Sequence, residues 1–308
     1  MKIFKQLFNR PERKDLFVLG AKRLERLRKE GRYSCYRSTR AVLRKLSLYM
    51  KGRPLPLGAV TPELLDGFRR FLAIEVGNSH NTIVENIKVV QRLLTEGGLP
   101  QKAGGGTSPG RSQTDRTYLT EEELRRLMAL RVTAGSDEDV ARDIFYVECR
   151  TGLRISDLLQ LRWKSCYGCT LRLQMQKTQR PVEVPMTPGV QQVLDRYRTL
   201  FSTPDDYVFP LMDTPGGPDG GDDFALSRKL VAATARVNQL ISRVAKRAGL
   251  AKHISTHVGR HTFATMLLNK GASIYEIKEL LGHRDVRMTQ VYAHLADARK
   301  RELIRRLE

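Results

Sequence analysis

The sequence predicts a mainly α-helical fold with a small β-sheet (an α+β fold), divided into two domains. Apolar residues recur at three- and four-residue spacing in both halves, as amphipathic helices require. Two short segments near the middle alternate as strands do. The chain of 308 residues is longer than one compact core usually accommodates, and a glycine-rich polar stretch separates its halves.

Residues 12–100 are predicted to form a bundle of four or five helices. Thr61-Pro62-Glu63 has the pattern of a helix start, with a capping hydroxyl, a proline in the first turn and an acidic residue after it. The last helix of this half has an apolar stripe at helical spacing: Ile83, Val84, Ile87, Val90, Leu93 and Leu94. Residues 101–116 are interpreted as a flexible linker between the domains, although a tolerated loop would have the same composition.

Residues 117–308 are predicted to form the second domain. It opens at Thr120, a capping hydroxyl that is followed by three glutamates in the first helical turn. The two strands are predicted over 171–175 and 182–184, and residues 213–223 are predicted to form a mobile surface loop. The other predicted helices cover 138–150, 154–161, 187–200, 236–248, 257–269, 274–281 and 287–306.

The four cysteines do not suggest a disulfide framework. Cys166 and Cys169 have the spacing of half a zinc site, but a structural site needs four ligands and no second pair lies nearby. We therefore interpret this segment as a tight turn around Gly168.

The chain has 54 Lys and Arg against 33 Asp and Glu, a formal charge of +21 that is spread along its length. Such a distribution favours a nucleic-acid partner, around which two linked domains could close; it does not separate DNA from RNA. Solubility or ribosome association is the alternative explanation of the charge, which the distribution favours less. No apolar run is long enough to span a membrane, and the N-terminus lacks the pattern of a signal peptide, so we expect a cytoplasmic protein without a membrane partner.

Two arginines are candidates for binding a phosphodiester. A planar guanidinium group can bind two phosphate oxygens at once and neutralise their charge. Arg154 and Arg260 are the candidates, and each closely follows a glycine in the sequence. Gly152 interrupts one helical stretch and leaves Arg154 near the start of the next, where an anion is favoured. For either arginine alone, a surface salt bridge is the alternative.

Histidines lie close to the second arginine in the sequence. His257 and His261 flank Arg260 at helical spacing, so all three should share one helix face, capped by Ser255 or Thr256. The apolar residues Phe263, Met266 and Leu267 would form the buried face of the same helix. His283 follows Gly282, a natural helix stop, which places it at an element boundary from which its side chain can project.

Lys177 and Tyr292 complete the candidate set. Lys177 lies at the tip of the predicted strand pair, where it could donate a proton to a departing sugar oxygen or simply be solvated. A tyrosine hydroxyl, with a pKa of about 10, is a poor nucleophile unless a base or a positive charge assists it. Tyr292 lies in a helix-like segment close in sequence to such groups.

Five segments taken together resemble the tyrosine recombinase, or phage integrase, family. They occur in the family's order: 151–159, 176–178, 257–261, 280–283 and 289–292. The resemblance extends from about residue 15 to the end. It implies a helical core-binding (SAM-like) domain at 12–100 and a catalytic domain at 117–308, forming a C-shaped clamp on DNA. Residues 36–40 and the first domain also resemble integrases of Bacteroides-type mobile elements.

The resemblance implies a metal-independent mechanism that needs no cofactor. Tyr292 would attack a DNA phosphate to form a 3′-phosphotyrosyl intermediate and release a 5′-hydroxyl. Arg154 and Arg260 would bind the phosphate, and Lys177 would be the general acid.

The same resemblance implies roles for the remaining polar residues. His257 would assist proton transfer and His283 would hydrogen-bond the phosphate. Asp157 would orient the cations, and His261 would have a supporting role.

The resemblance also implies partners. The substrate would be double-stranded DNA, and a tail containing Leu295, Leu303, Ile304 and Leu307 would pack into a neighbouring subunit, giving a tetramer on two DNA sites. Alternatively, the tail caps its own domain. A host DNA-bending protein is a further possible partner. Only about 15 residues precede the first helical pattern, which favours inversion, resolution or integration directed by core sites over integration that depends on an arm-binding domain.

Two other functions fit part of this pattern. A type IB topoisomerase uses a similar set of arginine, lysine, histidine and tyrosine to relax DNA. A non-catalytic DNA-binding regulator could retain the same fold.

Overall fold

The computed structural model describes residues 15–99, 117–176, 178–212, 223–290 and 292. The chain forms two compact units, one containing 15–99 together with 223–228 and the other containing the remaining described residues. The predicted linker and Lys177 lie outside the described residues, as does most of the predicted loop at 213–223.

The N-terminal unit is helical, in agreement with the predicted bundle. Thr61 accepts a hydrogen bond from the backbone of Leu64 at 3.3 Å, and Pro62 lies in the first turn, so the predicted helix start is confirmed. The helices of residues 15–99 are α1 (Leu16–Lys29), α2 (Tyr33–Tyr49), α3 (Pro62–Ile74) and α4 (His80–Glu96), with a 3₁₀ turn at Leu57–Ala59.

The apolar faces of these helices form one core. Leu65, Phe68 and Leu72 of α3 are fully buried, because they recur on one face at helical spacing. Asp15 caps α1 and also accepts a hydrogen bond from the backbone of Leu55 at 2.7 Å. One buried carboxylate thus joins the first helix to the segment before α3.

The C-terminal unit combines helices with a small antiparallel sheet. The strands are β1 (Cys166–Tyr167), β2 (Thr170–Gln174) and β3 (Pro181–Pro185), in that order. The helices are α5 (Glu121–Ala129), α6 (Asp137–Thr151), α7 (Ile155–Leu159), α8 (Pro188–Asp195), α9 (Asp223–Arg247), α10 (Thr256–Asn269), α11 (Ile274–Leu281) and α12 (Arg287–Gln290). The first six residues of α9, 223–228, belong to the N-terminal unit.

The sheet agrees with the two predicted strands and adds a third. Leu171 pairs with Val184, and both side chains are buried. Tyr167 pairs with Thr170 across a two-residue connection in which Gly168 has φ +56°. The cysteine-containing segment is therefore a tight turn, as predicted, and the turn positions β1 beside β2.

Two helix boundaries differ widely from prediction. Helix α9 begins at Asp223 rather than at residue 236; its first half already has apolar residues at helical spacing, Leu226, Leu230 and Ala233, which the predicted helix did not include. Helix α8 ends at Asp195 rather than at residue 200. Beyond it, Arg196 and Tyr197 contact the buried Asp143 carboxylate at 2.7 and 2.9 Å, and these tertiary contacts replace continuation of the helix.

Helix α10 packs against α6, and its buried residues are largely not the ones predicted: Val258, Thr262, Ala264 and Leu268 are buried. Phe263 is buried, but Met266 and Leu267 are only half-buried. Ser255 is the N-cap residue by position, yet its side chain makes no capping hydrogen bond. Instead, Asn238 of α9 accepts a hydrogen bond from the Thr256 amide at 2.8 Å, so the cap comes from a different helix.

No helix among the described residues is both long enough and apolar enough to cross a membrane.

Candidate active site

Arg260 joins the ends of two helices. Its guanidinium donates one hydrogen bond to the carbonyl of Gly152, which ends α6, and another at 2.6 Å to the carbonyl of Leu281, the last residue of α11. Helix C-termini present partial negative charge, so both contacts favour a cation. The side chain is thereby held in one position before any substrate binds.

Both helices end at glycines in the left-handed region. Gly152 has φ +66° and Gly282 has φ +57°, conformations that disfavour residues with a Cβ. Space is also limited there: a Cβ on Gly152 would overlap the Phe263 ring, and one on Gly282 would overlap the Met175 side chain. These glycines let the carbonyl ends of α6 and α11 approach their neighbours closely.

Arg154 lies at the N-cap of α7 and is half-buried. Its Nη1 is 3.0 Å from the sulfur of Met175, which is fully buried. One turn later, Asp157 accepts a hydrogen bond from the backbone of Gln176 at 3.0 Å. Arg154 and Asp157 therefore contact the segment that leaves β2, which is the segment that leads to Lys177.

The two arginines form a destabilised cationic pair. Burial lowers the pKa of Arg154, and burial together with the charge of Arg154 lowers the pKa of Arg260 to about 10. Both side chains therefore remain cationic near neutral pH. A bound anion would relieve their repulsion and the cost of their burial, so the pair is suited to a phosphate.

Glu148 is a buried carboxyl that sequence analysis did not select. It lies in α6, is 1% exposed, and packs against Gly259 of α10. Within the described part of the chain, its Oε2 has no hydrogen-bond partner. Burial raises the pKa of Glu148 well above its usual value, although the charge of Arg260 opposes that shift. A lone acid within the apolar run 144–149 was the available signal.

The raised pKa predicts a pH-dependent effect of Glu148→Gln. Because the folded protein holds the Glu148 proton more tightly than the unfolded chain does, this residue stabilises the fold most below its unfolded pKa of about 4.5 and loses that effect as pH rises. The free energy of unfolding of the wild type, minus that of the variant, should therefore fall between pH 5 and pH 8. Urea unfolding of both proteins across this range measures the difference.

The exposed Glu122, replaced by glutamine, is the matched control for that series. Its difference curve should be flatter than that of Glu148→Gln. Equal slopes for the two variants would contradict a selectively raised pKa at Glu148.

The ring of Tyr292 lies in an apolar cluster, and its hydroxyl contacts a histidine. The side chain is 2% exposed and packs with residues of α10 and α11, including Phe263 and Leu281. Its hydroxyl lies 2.7 Å from Nδ1 of His261. Arg260 lies within electrostatic range of this phenol and would stabilise its ionised form.

The remaining predicted residues are His283, His257 and Lys177. His283 follows the C-terminus of α11, as its position after Gly282 predicts, but it is 5% exposed and does not project into solvent. Its Nδ1 lies 2.9 Å from the hydroxyl of Thr289. His257 is exposed in the first turn of α10. Lys177 is not described, although the carbonyl of its neighbour Thr178 accepts a hydrogen bond from Arg284 at 3.1 Å.

The described geometry thus brings five predicted residues into one group. Arg154, Asp157 and Arg260 interact electrostatically, and Tyr292 interacts with Arg260. His261 joins this group through the Tyr292 hydroxyl. In the described ranges, no group of three or more His, Cys, Asp or Glu side chains is arranged to hold a metal ion.

Comparison with known families matches both halves of the chain. Residues 117–299 match the phage integrase family, and residues 15–97 match the phage integrase SAM-like domain.

Among similar proteins, a tyrosine recombinase of Pseudothermotoga lettingae is 27% identical over 193 residues, covering 62% of this chain and 60% of the relative. Tyrosine recombinase XerC of Pseudomonas aeruginosa is 30% identical over 215 residues, covering 67% of this chain and 64% of the relative. The match therefore spans about three fifths of the length of the curated relatives.

Two solved structures share the fold. The Tn1549 transposon integrase (residues 82–397) in complex with circular intermediate DNA has a TM-score of 0.64 at 19% identity, covering 90% of this chain and 94% of that one. A lambda integrase dimer bound to a COC′ core site has a TM-score of 0.61 at 17% identity, covering 90% and 77%.

Proposed function

Because the chain belongs to the phage integrase family, we propose that it is a site-specific DNA recombinase that cleaves and rejoins DNA through a 3′-phosphotyrosyl intermediate. The observation that supports this most is the placement of the Tyr292 hydroxyl on His261, within electrostatic range of Arg260. A phenol and a pair of partly buried cations are groups that suit metal-independent attack on a phosphodiester.

The arginine pair retains donors for a phosphate. A guanidinium has five N–H groups, and the two carbonyl contacts of Arg260 use two of them. Arg154 directs Nη1 at the sulfur of Met175, a weak acceptor that a charged oxygen can replace. We infer that one non-bridging oxygen binds each arginine, with Asp157 orienting Arg154 and Arg260.

Proton transfer is assigned to residues around this pair. Lys177 protonates the departing 5′-oxygen; the contacts that its neighbours Gln176 and Thr178 make with Asp157 and Arg284 support this role. His257 assists proton transfer from the first turn of α10. His283, held by Thr289, hydrogen-bonds the phosphate.

The partners follow from the same proposal. Double-stranded DNA is the substrate, and the charge of +21 supports it. Residues 12–100 form the core-binding domain, 101–116 the linker and 117–308 the catalytic domain. We further propose a tetramer on two DNA sites, assistance by a host DNA-bending protein and action in the cytoplasm. The recombinases among its relatives do not favour a topoisomerase or a non-catalytic regulator.

Covalent trapping tests the proposal. The protein is first used to select its binding site from random duplexes, and nicked duplexes of that site are then incubated with it. We expect a protein–DNA adduct on a denaturing gel, with the DNA attached to the peptide that contains Tyr292. Tyr292→Phe should abolish the adduct because it removes the attacking oxygen.

Tyr275→Phe is the matched control, since Tyr275 is an exposed tyrosine of α11. This variant should form the adduct as the wild type does. An adduct that persists in Tyr292→Phe would contradict Tyr292 as the nucleophile. Tight binding of the selected site without any wild-type adduct would favour the non-catalytic regulator.

A further inference from the structure

We propose that His261 is the base that accepts the phenol proton of Tyr292 during attack. The proposal rests on the recombinase function above and deepens it. It gives the nucleophile's proton to a residue for which the family resemblance implies only a supporting role. His257 would then serve another part of the reaction.

The contact between the two side chains has the geometry of proton transfer. Nδ1 of His261 lies 2.7 Å from the Tyr292 hydroxyl, within the range required of a general base. A neutral imidazole that is protonated on Nε2 accepts at Nδ1, which makes the phenol the donor. The ordinary pKa of a phenol, about 10, lies above that of an imidazole, about 6.5, so transfer becomes favourable only as the oxygen bonds to phosphorus.

Both partners are held in place by the fold. The Tyr292 ring is buried among residues of α10 and α11, which restricts the direction of its hydroxyl. His261 lies on α10 beside Thr262, whose hydroxyl accepts a hydrogen bond from the backbone of Leu119 at 2.9 Å. The contact is therefore present before any substrate binds and requires little rearrangement to serve in the reaction.

The position of His261 next to Arg260 couples this base to the phosphate site. Consecutive Cα atoms are about 3.8 Å apart, so one turn of α10 supplies both a phosphate ligand and the partner of the nucleophile. His257 lies one turn earlier on the same helix and is exposed. That exposed position suits contact with DNA, whereas His261 contacts the reacting oxygen.

The proposed step balances in both directions. On cleavage, the Tyr292 oxygen bonds to phosphorus, the bond from phosphorus to the 5′-oxygen breaks, and the phenol proton moves to Nδ1 of His261. The 5′-oxygen takes a proton from Lys177. On rejoining, a 5′-hydroxyl attacks and returns its proton to Lys177, while the leaving phenolate recovers its proton from His261.

The test compares His261→Asn with the wild type on two substrates. Asparagine places an oxygen close to the position of Nδ1 and keeps a hydrogen bond to the phenol, but it does not take up a proton at neutral pH. One nicked duplex is ordinary; the other has sulfur in place of the bridging 5′-oxygen at the scissile phosphate. Sulfur leaves as a thiolate without a general acid, so this duplex isolates activation of the nucleophile.

We expect His261→Asn to slow adduct formation about 100-fold on both duplexes, in line with the usual contribution of a general base. Lys177→Ala should be slow on the ordinary duplex and recover on the sulfur duplex. Thermal unfolding of His261→Asn should match that of the wild type, which separates a chemical defect from a folding defect. His261→Phe, which also removes the hydrogen bond, should be at least as slow.

Three results would overturn the assignment. A wild-type rate for His261→Asn with a slow His261→Phe would limit His261 to orienting the phenol. A rate above the wild type would mean that the contact restrains the nucleophile. Recovery of His261→Asn on the sulfur duplex would place His261 on the leaving-group side. Each result requires a wild-type adduct at Tyr292, so it leaves the recombinase function standing, whereas absence of that adduct would remove both proposals.

Discussion

Arg260→Lys is expected to slow formation of the covalent adduct about 1000-fold, at the upper end of what loss of a transition-state donor costs. Arg260 reaches the carbonyls of Gly152 and Leu281 while retaining further N–H groups for a phosphate. An ammonium has three donors around a single nitrogen and cannot bridge two helix ends and a phosphate together. The substitution keeps the positive charge, so it tests the shape of the guanidinium.

Single-turnover kinetics on the nicked duplex, with the protein in excess, measures this effect. Binding of the same duplex should change by no more than a few-fold, since most of the affinity comes from many phosphate contacts. Arg236→Lys is the control because Arg236 is an exposed arginine of the same unit, on α9, paired with Asp137. Equal rates for the wild type and Arg260→Lys would mean that charge alone suffices at this position.

Gly152→Ala is expected to lower the free energy of unfolding by about 3 kcal/mol, combining left-handed strain with overpacking. Gly152 has φ +66°, and an added Cβ would overlap both Phe263 and a methyl group of Leu281. Those side chains belong to α10 and α11, which are packed in the core around Tyr292. The alanine methyl therefore has no space to occupy unless the ends of these helices move.

Gly168→Ala isolates the strain from the overpacking. Gly168 has φ +56°, but an added Cβ would meet no atom within 4 Å. Its expected cost is therefore the left-handed strain alone, about 1–2 kcal/mol. Urea unfolding of both variants measures the difference; equal losses of stability would show that the structure relaxes around the new methyl group at Gly152.

Local signals in the sequence predicted much of the architecture. The helix starts at Thr61 and Thr120 are confirmed by their capping hydrogen bonds, since a cap involves residues only three positions apart. The turn at Gly168 and the helix end at Gly282 are confirmed for a similar reason: each depends on the conformation of one glycine. The start of α9 was missed although apolar residues at helical spacing mark its first half.

Tertiary contacts account for the features that sequence analysis missed. The cap of α10 comes from Asn238 and not from the adjacent Ser255 or Thr256, because α9 places an amide oxygen at that helix end. Glu148 lies near the site because α6 packs against Gly259 of α10, a contact between distant segments. The roles of all the predicted site residues remain predictions: Arg154, Asp157, Lys177, His257, Arg260, His261, His283 and Tyr292.

The residue types of the site and the helices that hold them follow from the sequence, because spacing along a helix is a local property. Pairings between distant residues do not. Arg260 meets the carbonyl of Gly152 and His261 meets Tyr292 only because α10 packs against α6 and α11, so that segments far apart in the chain share one core. Periodicity shows which face of a helix is buried, but only the packing of the assembled helices selects the partner that this face contacts.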